Sequence, residues 1–209
     1  MGAVNVLSHP LILDKLASMR DKGTSCADFR RLLHEITLLM GYEVTADLPT
    51  KTIAIETPVA TAEFPVLADR ALTIVPILRA GLGMVDGLLE LLPFASVGHL
   101  GMERDEDTHL PSEYYSKMPR DARDSLVIVV DPMLATGGSA IDAVSNLKAR
   151  GCTDLRMMNL LAAPEGIEAF GSAHPDVDIY VAAVDERLND RAYIVPGLGD
   201  AGDRIFSTL

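Results

Sequence analysis

The chain has 209 residues and a formal net charge of −12, from 18 Lys and Arg against 30 Asp and Glu. That length suits one domain with a sizeable core rather than two ordinary ones. The acidic balance argues against a nucleic-acid partner, for which a basic stripe is expected. Hydrophobic residues make up 48%, yet no apolar run is long enough to span a bilayer. The opening M-G-A-V-N-V-L-S-H-P has neither the charged nor the apolar region of a signal peptide. Val6 stands where a myristoylated Met-Gly start needs Ser or Thr. The expectation is a cytoplasmic protein without a membrane partner. Cys26 and Cys152 lie far apart and outside any C-x-x-C, so they read as buried or half-buried thiols. The five histidines show no metal-ligand spacing.

In chain order, residues 10–20 carry Ile12, Leu16 and Met19 on one helical stripe, with Ser8 as the candidate cap. Ser25 and Asp28 resemble a capping box. Behind them Phe29, Leu32, Leu33, Ile36, Leu39 and Met40 repeat at helical spacing, and Gly41 reads as the stop. Residues 1–45 are therefore expected to be helical. Residues 51–57 alternate like a strand ended by Pro58, and 71–78 form a second, apolar strand. Arg79, Ala80 and Gly81 then turn into a helix over 84–92, stopped by Pro93. Such a strand-to-helix turn can bind an anion, and Arg79 would bring a forked cation. The plainer alternative pairs Arg79 with Asp86 or Glu90. Residues 96–102 read as a strand ending at Glu103-Arg104-Asp105. The polar stretch 106–124 reads as a long loop whose Tyr114, Tyr115 and Lys117 either cover an anionic site or sit in solvent.

Residues 126–130 (L-V-I-V-V) are apolar throughout, as in a strand buried on both faces of a parallel sheet. Asp131 ends the strand, and Pro132 lacks the N–H to extend it. Ala135, Thr136, Gly137, Gly138 and Ser139 follow, and residues 140–150 resume helical spacing up to Gly151. Glycines let backbone N–H groups converge, the helix N-terminus adds a positive dipole end, and Thr136 and Ser139 add hydroxyl donors. A phosphate monoester fits that cradle. Asp131 would repel phosphate but suits the paired hydroxyls of a ribose, so the stretch reads as a ribose-5-phosphate cradle. An ordinary tight turn with Ser139 as N-cap is the alternative. Strands over 155–162 and 178–184 flank a short helix at 165–170, and the Gly- and Pro-rich 185–209 closes the chain. Alternating strands and helices predict a parallel central sheet flanked by helices, an α/β fold whose ligands sit beyond the strands' C-terminal ends.

V-V-D-P-M-L-A-T-G-G-S resembles the phosphoribosyl-diphosphate (PRPP) loop of the uracil phosphoribosyltransferases. The stretches 76–83 (P-I-L-R-A-G-L-G) and 193–206 (Y-I-V-P-G-L-G-D-A-G-D-R-I-F) are similar to two further motifs of that family. The likeness runs from about His9 to the C-terminus. Where the wider group carries a second acid beside Asp131, this chain has Pro132, as the uracil branch does. The resemblance implies a single phosphoribosyltransferase domain over 1–209, with a subunit-contacting N-terminal part at 1–45 and a uracil-binding hood at 185–209. It implies PRPP binding by Arg79, Arg104, Asp131, Pro132, Met133, Leu134, Ala135, Thr136, Gly137, Gly138, Ser139 and Asp200. Uracil would meet Ile194, Gly199, Asp200 and Ala201, mainly through main-chain groups.

The implied reaction is uracil plus PRPP giving UMP and diphosphate, with Arg79, Arg104, Asp131 and Asp200 in catalytic positions. Magnesium is the implied cofactor, held by substrate oxygens with Asp200 or Asp131, directly or through water. Some family members are GTP-stimulated allosteric enzymes, and a homodimer or homotetramer is implied. The resemblance further implies a non-proline cis peptide between Arg79 and Gly81. Departures stand at Glu103, where Tyr usually precedes the Arg, at Glu186-Arg187, often Gln-Gly, and at Ala192, usually Gly. A PRPP-binding regulator, or a transferase for another nucleobase, is the alternative.

Overall fold

The computed structural model describes residues 2–104 and 111–208, with the backbone alone for 102–104 and 111–113. Strand β1 (Val4–Val6) is followed by helices α1 (Pro10–Arg20) and α2 (Cys26–Val44). A hairpin of β2 (Thr50–Glu56) and β3 (Thr61–Leu67) precedes β4 (Leu72–Leu78) and α3 (Leu82–Leu91). Next come β5 (Ser96–Val97), β6 (His99–Arg104) and β7 (Pro111–Lys117). The second half holds β8 (Leu126–Val130), β9 (Met133–Leu134), α4 (Gly138–Ala149), β10 (Asp154–Ala162), α5 (Pro164–Ala173) and β11 (Asp178–Val184). Two short strands, β12 (Arg187–Leu188) and β13 (Ile194–Val195), and helix α6 (Ala201–Phe206) complete it.

The central sheet has the order β1-β11-β10-β8-β4-β6-β7, with β5 beside β4 and β9 beside β10. All its pairings are parallel except β6 with β7. The unbroken apolar run of β8 now has its reason. Leu126, Ile128 and Val130 join a core with Phe29, Leu33, Ile36 and Met84 from α2 and α3. Val127 and Val129 face the other way, into a core with Val144 and Leu147 of α4 and Phe170 of α5. A strand covered by helices on both faces has no polar side to show.

Several expected boundaries move. The N-terminal part is not wholly helical, since β1 pairs with β11, Val4 opposite Ile179. The cap of α1 is His9, whose Nδ1 accepts from the Leu11 N–H at 3.2 Å, rather than Ser8. Ser25 caps α2 as expected, accepting from the Asp28 N–H at 3.1 Å. Gly41 does not stop α2, which runs on to Val44. A Cβ there would come within 2.8 Å of Leu88 on α3, so glycine serves close helix packing instead. The strand expected at 51–57 lies outside the central sheet, paired only with β3, and every residue of β2 is exposed. The loop expected at 106–124 contains β7 and a 3₁₀ turn at Ala122–Asp124. Tyr114, Tyr115 and Lys117 therefore sit on an antiparallel edge strand. The part of that stretch at 106–110 lies outside the described residues.

Candidate active site

Parallel strands β4, β8 and β11 deliver Arg79, Asp131 and Asp185 to one rim, each just past a strand end. Asp131 is half-buried there. Its N–H donates to the Met158 carbonyl at 3.2 Å, and the buried Asn159 amide donates to its carbonyl at 2.7 Å. Its own carboxylate accepts one N–H, from Met133 at 3.3 Å. Burial pushes this carboxyl up to about 7, against the opposing pull of the Met133 N–H.

The segment after Asp131 is more ordered than a plain loop. Met133 and Leu134 lie alongside Leu161 and Ala162 of β10. The Pro132 carbonyl accepts from Leu160 and Leu161 at 3.0 and 2.9 Å, so Pro132 locks this bend onto β10. The chain then turns at Gly137, whose φ of +83° is open to glycine at little cost. Gly137, not Ser139, is the N-cap of α4, and it brings no side-chain acceptor. Apart from a long contact of 3.5 Å from the Gly138 N–H to the Thr136 hydroxyl, no side-chain cap occupies the first turn of α4, whose N-terminus faces a ligand. A cavity of about 100 Å³ sits over it, lined by Asp131 and by Met133 through Ala140.

A larger cavity of about 390 Å³ adjoins it and shares Asp131, Met133 and Ala135. Its far wall is the C-terminal segment: Ile194, Gly199, Asp200 and Ala201 all line it. Strands β12 and β13 are antiparallel, and Asn189 ties their turn by accepting from the Arg191 and Tyr193 N–H groups at 2.9 and 3.0 Å. The Ile194 and Ala201 side chains are buried in the core. A ligand against those two residues therefore meets main chain. Gly199, at φ +84°, removes a side chain where the chain bends. Asp200 caps α6, one carboxylate oxygen accepting from the Asp203 N–H at 2.9 Å.

Of the residues expected from sequence, Asp131 and Met133 through Ser139 meet in the smaller cavity. Asp131, Met133, Ala135, Ile194, Gly199, Asp200 and Ala201 meet in the larger one. Pro132 lines neither among the described residues. Arg79 also lines neither; its side chain is 60% exposed at the end of β4, 3.8 Å from Asp203 rather than paired with Asp86 or Glu90. The side chains of Glu103 and Arg104 lie outside the described residues. The non-proline cis peptide lies one bond earlier than expected, between Leu78 and Arg79. Glu186 and Arg187 pair with each other at 3.7 Å on the surface. The larger cavity also takes in Ala80, Arg191, Ala192, Tyr193 and Gly202. Arg191 is the one cation among its described lining residues, facing a wall that also holds Asp131 and Asp200. Only the Asn-Asp turn signal at 189–190 hinted that a hairpin would carry this residue to the site.

A strand-end acid between a phosphate-sized cradle and a base-sized cavity walled by backbone is the layout of a nucleoside monophosphate site. Comparison with known proteins agrees. The model of the family described as uracil phosphoribosyltransferase matches residues 6–208. Uracil phosphoribosyltransferases of Clostridium perfringens and of a Geobacillus species are 60% and 57% identical over 208 residues, covering all of both chains. A solved structure of a protein from Aquifex aeolicus superposes with a TM-score of 0.91 at 38% identity, covering 98% of each chain. A hypoxanthine phosphoribosyltransferase from Staphylococcus aureus shares the fold at 16% identity, with a TM-score of 0.53 over 75% of this chain and 74% of that one. Full-length identity at this level, over a site of this shape, means that the chain belongs to the uracil phosphoribosyltransferase family.

Proposed function

We propose that the chain, read as one phosphoribosyltransferase domain, transfers the 5-phosphoribosyl group of PRPP to uracil, releasing UMP and diphosphate. The observation that carries this is the pair of joined cavities sharing Asp131. The 5-phosphate takes the α4 N-terminus and the hydroxyls of Thr136 and Ser139. The ribose hydroxyls donate to the Asp131 carboxylate. Uracil takes the larger cavity, where an extended main chain offers alternating N–H and C=O groups to its ring N–H and carbonyl edge. During transfer the bond from C1′ to the diphosphate oxygen breaks and the bond from uracil N1 to C1′ forms, while N1 gives up its proton.

The transition state resembles an oxocarbenium ion, so most of the work is in stabilising the leaving diphosphate. Arg79 is exposed at the rim and held only loosely by Asp203, which leaves its fork able to reach that group. Arg104 is the last residue of β6, which runs parallel to β4. Asp200 is the candidate for proton handling, with one oxygen already engaged as a helix cap.

Magnesium suits the donors present. Among the described residues no three acids, histidines or cysteines cluster as a ready ligand set. Asp131 and Asp200 both line the larger cavity, a pattern that fits a hard cation carried mainly by substrate and water oxygens. When bound, it would neutralise charge on the diphosphate.

The family resemblance extends the proposal to a cytoplasmic homo-oligomer stimulated by GTP. No described helix is long and apolar enough to cross a membrane. The β2–β3 hairpin supports the oligomer, since it presents exposed Ile53, Ile55, Phe64 and Leu67 outside the central sheet. The deciding experiment is turnover of PRPP with a panel of nucleobases. UMP and diphosphate from uracil are expected; no product from uracil, or equal use of purines, would overturn the assignment.

A further inference from the structure

The wall of the base cavity is thin. Gly199 and Asp200 line the base cavity on one side and a second cavity of about 350 Å³ on the other. Gly199 and Asp200 are exposed between them, while Leu198 and Ala201 on either side are buried in the core. Besides that packing, Gly197 and Leu198 are held by a set of charge-assisted hydrogen bonds that run to the C-terminal end of α1.

Arg20, the last residue of α1, forks onto Asp185 at 2.6 and 2.7 Å and also donates to the Gly197 carbonyl at 2.8 Å. Asp185 accepts from the Gly197 N–H at 2.8 Å, so both main-chain polar groups of Gly197 are bound. The Asp185 side chain is only 6% exposed. Burial pushes that carboxyl up, but Arg20 and the Gly197 N–H outweigh it and hold it below the usual carboxylate range. Arg204 ties the next residue. One of its nitrogens donates to the Leu198 carbonyl at 2.9 Å and to the Met19 carbonyl at 2.6 Å, and another to the Asp21 main-chain carbonyl at 2.7 Å. Its guanidinium lies 4.4 Å from the centre of the Phe29 ring.

Given the hood as the base site, we propose that Arg20, with Asp185, and Arg204 are positioning residues for uracil. They clamp residues 197–198 to α1 and thereby fix the main chain of Gly199 and Asp200 at the distance the base requires. Neither arginine lines the base cavity, so neither is a catalytic residue. Arg204 cannot be replaced by Lys, because an ammonium has no planar fork to span carbonyls on two segments.

The test compares wild type with Arg20→Gln plus Asp185→Asn, which removes both charges together, and with Arg204→Lys. KM for uracil should rise roughly tenfold, the loss of about 1.4 kcal/mol that lies at the low end for hydrogen bonds to charged groups. KM for PRPP should rise less than KM for uracil, because the phosphate cradle is built on β8, β9 and α4 and Asp200 is the one expected PRPP contact in the clamped segment. Amide hydrogen exchange at 197–200 should quicken while that of β8 and β10 stays slow. An unchanged KM for uracil with unchanged hood exchange would overturn the clamp. So would a parallel rise in both KM values with faster exchange throughout, which marks a general structural loss. If wild type itself fails to use uracil, the functional assignment falls instead, and hood exchange alone decides the clamp.

Discussion

Asp131→Asn separates what the site needs from what the fold prefers. The carboxyl has an ordinary value of 3.8 and is pushed by burial to about 7. An unfolded chain therefore releases this proton near pH 4, while the folded protein keeps it until about pH 7. Between those limits the folded state binds more protons, so stability falls as pH rises. The penalty is absent below about pH 4 and complete above about pH 7. At 1.36 kcal/mol for each tenfold step it amounts to roughly 4 kcal/mol. That is a ceiling, since Asp131 borders an open cavity where water lowers the cost of charge. Asn keeps the volume and an oxygen for the Met133 N–H but has no charge to bury.

Unliganded Asp131→Asn should thus be more stable than wild type at pH 8, with the gap closing towards pH 4. Activity should move the other way. Loss of the anionic acceptor for ribose hydroxyls should lower kcat/KM for PRPP by about ten- to a hundredfold, the worth of hydrogen bonds to a charged group. Wild type should itself bind PRPP better as pH rises through 7 and the carboxylate forms. The assay is urea unfolding of both proteins from pH 5 to pH 8.5 beside steady-state kinetics. A mutant no more stable than wild type at pH 8, or a difference that ignores pH, would refute the burial account.

Arg79→Ala should leave stability nearly unchanged, because its one ion pair is exposed and 3.8 Å long. It should nonetheless cut kcat/KM for PRPP by about 2–4 kcal/mol, as removal of an oxyanion donor does; unaltered kinetics would remove Arg79 from the site. Gly199→Val should abolish uracil use. The cause is not bulk alone: φ is +84°, where L-residues lose roughly 1–2 kcal/mol and β-branched ones more, while a Cβ would meet only Arg204 at 3.9 Å. Full activity of this variant, or equal turnover of cytosine by wild type, would overturn backbone reading of the base. Ala192 sits at φ +60°. Ala192→Gly should stabilise the β12–β13 turn by up to about 1 kcal/mol, after the entropy glycine gains on unfolding; a clear loss in urea unfolding would show that the turn holds no strain.

Much of this protein was legible one residue at a time. The run 126–130 read as a strand covered on both faces, and its flanking acid, glycines and hydroxyls favoured a phosphate next to a ribose over an ordinary tight turn. Local chemistry decides such features, because a strand end, a glycine turn and a helix start are short-range objects. Tertiary structure decided the rest. Gly41 read as a helix stop because glycine usually is one, yet the approach of α3 is what required it. The strand at Thr50–Glu56 looked like sheet, but it pairs with β3 outside the central sheet and every one of its residues is on the surface. Arg191 reached the base cavity through a five-residue turn whose tie is Asn189. Arg20 and Asp185 are 165 positions apart and share no motif. A long-range ion pair leaves no periodicity in the chain, so only the fold, by bringing the end of α1 under the hood, could show what holds the base site in place.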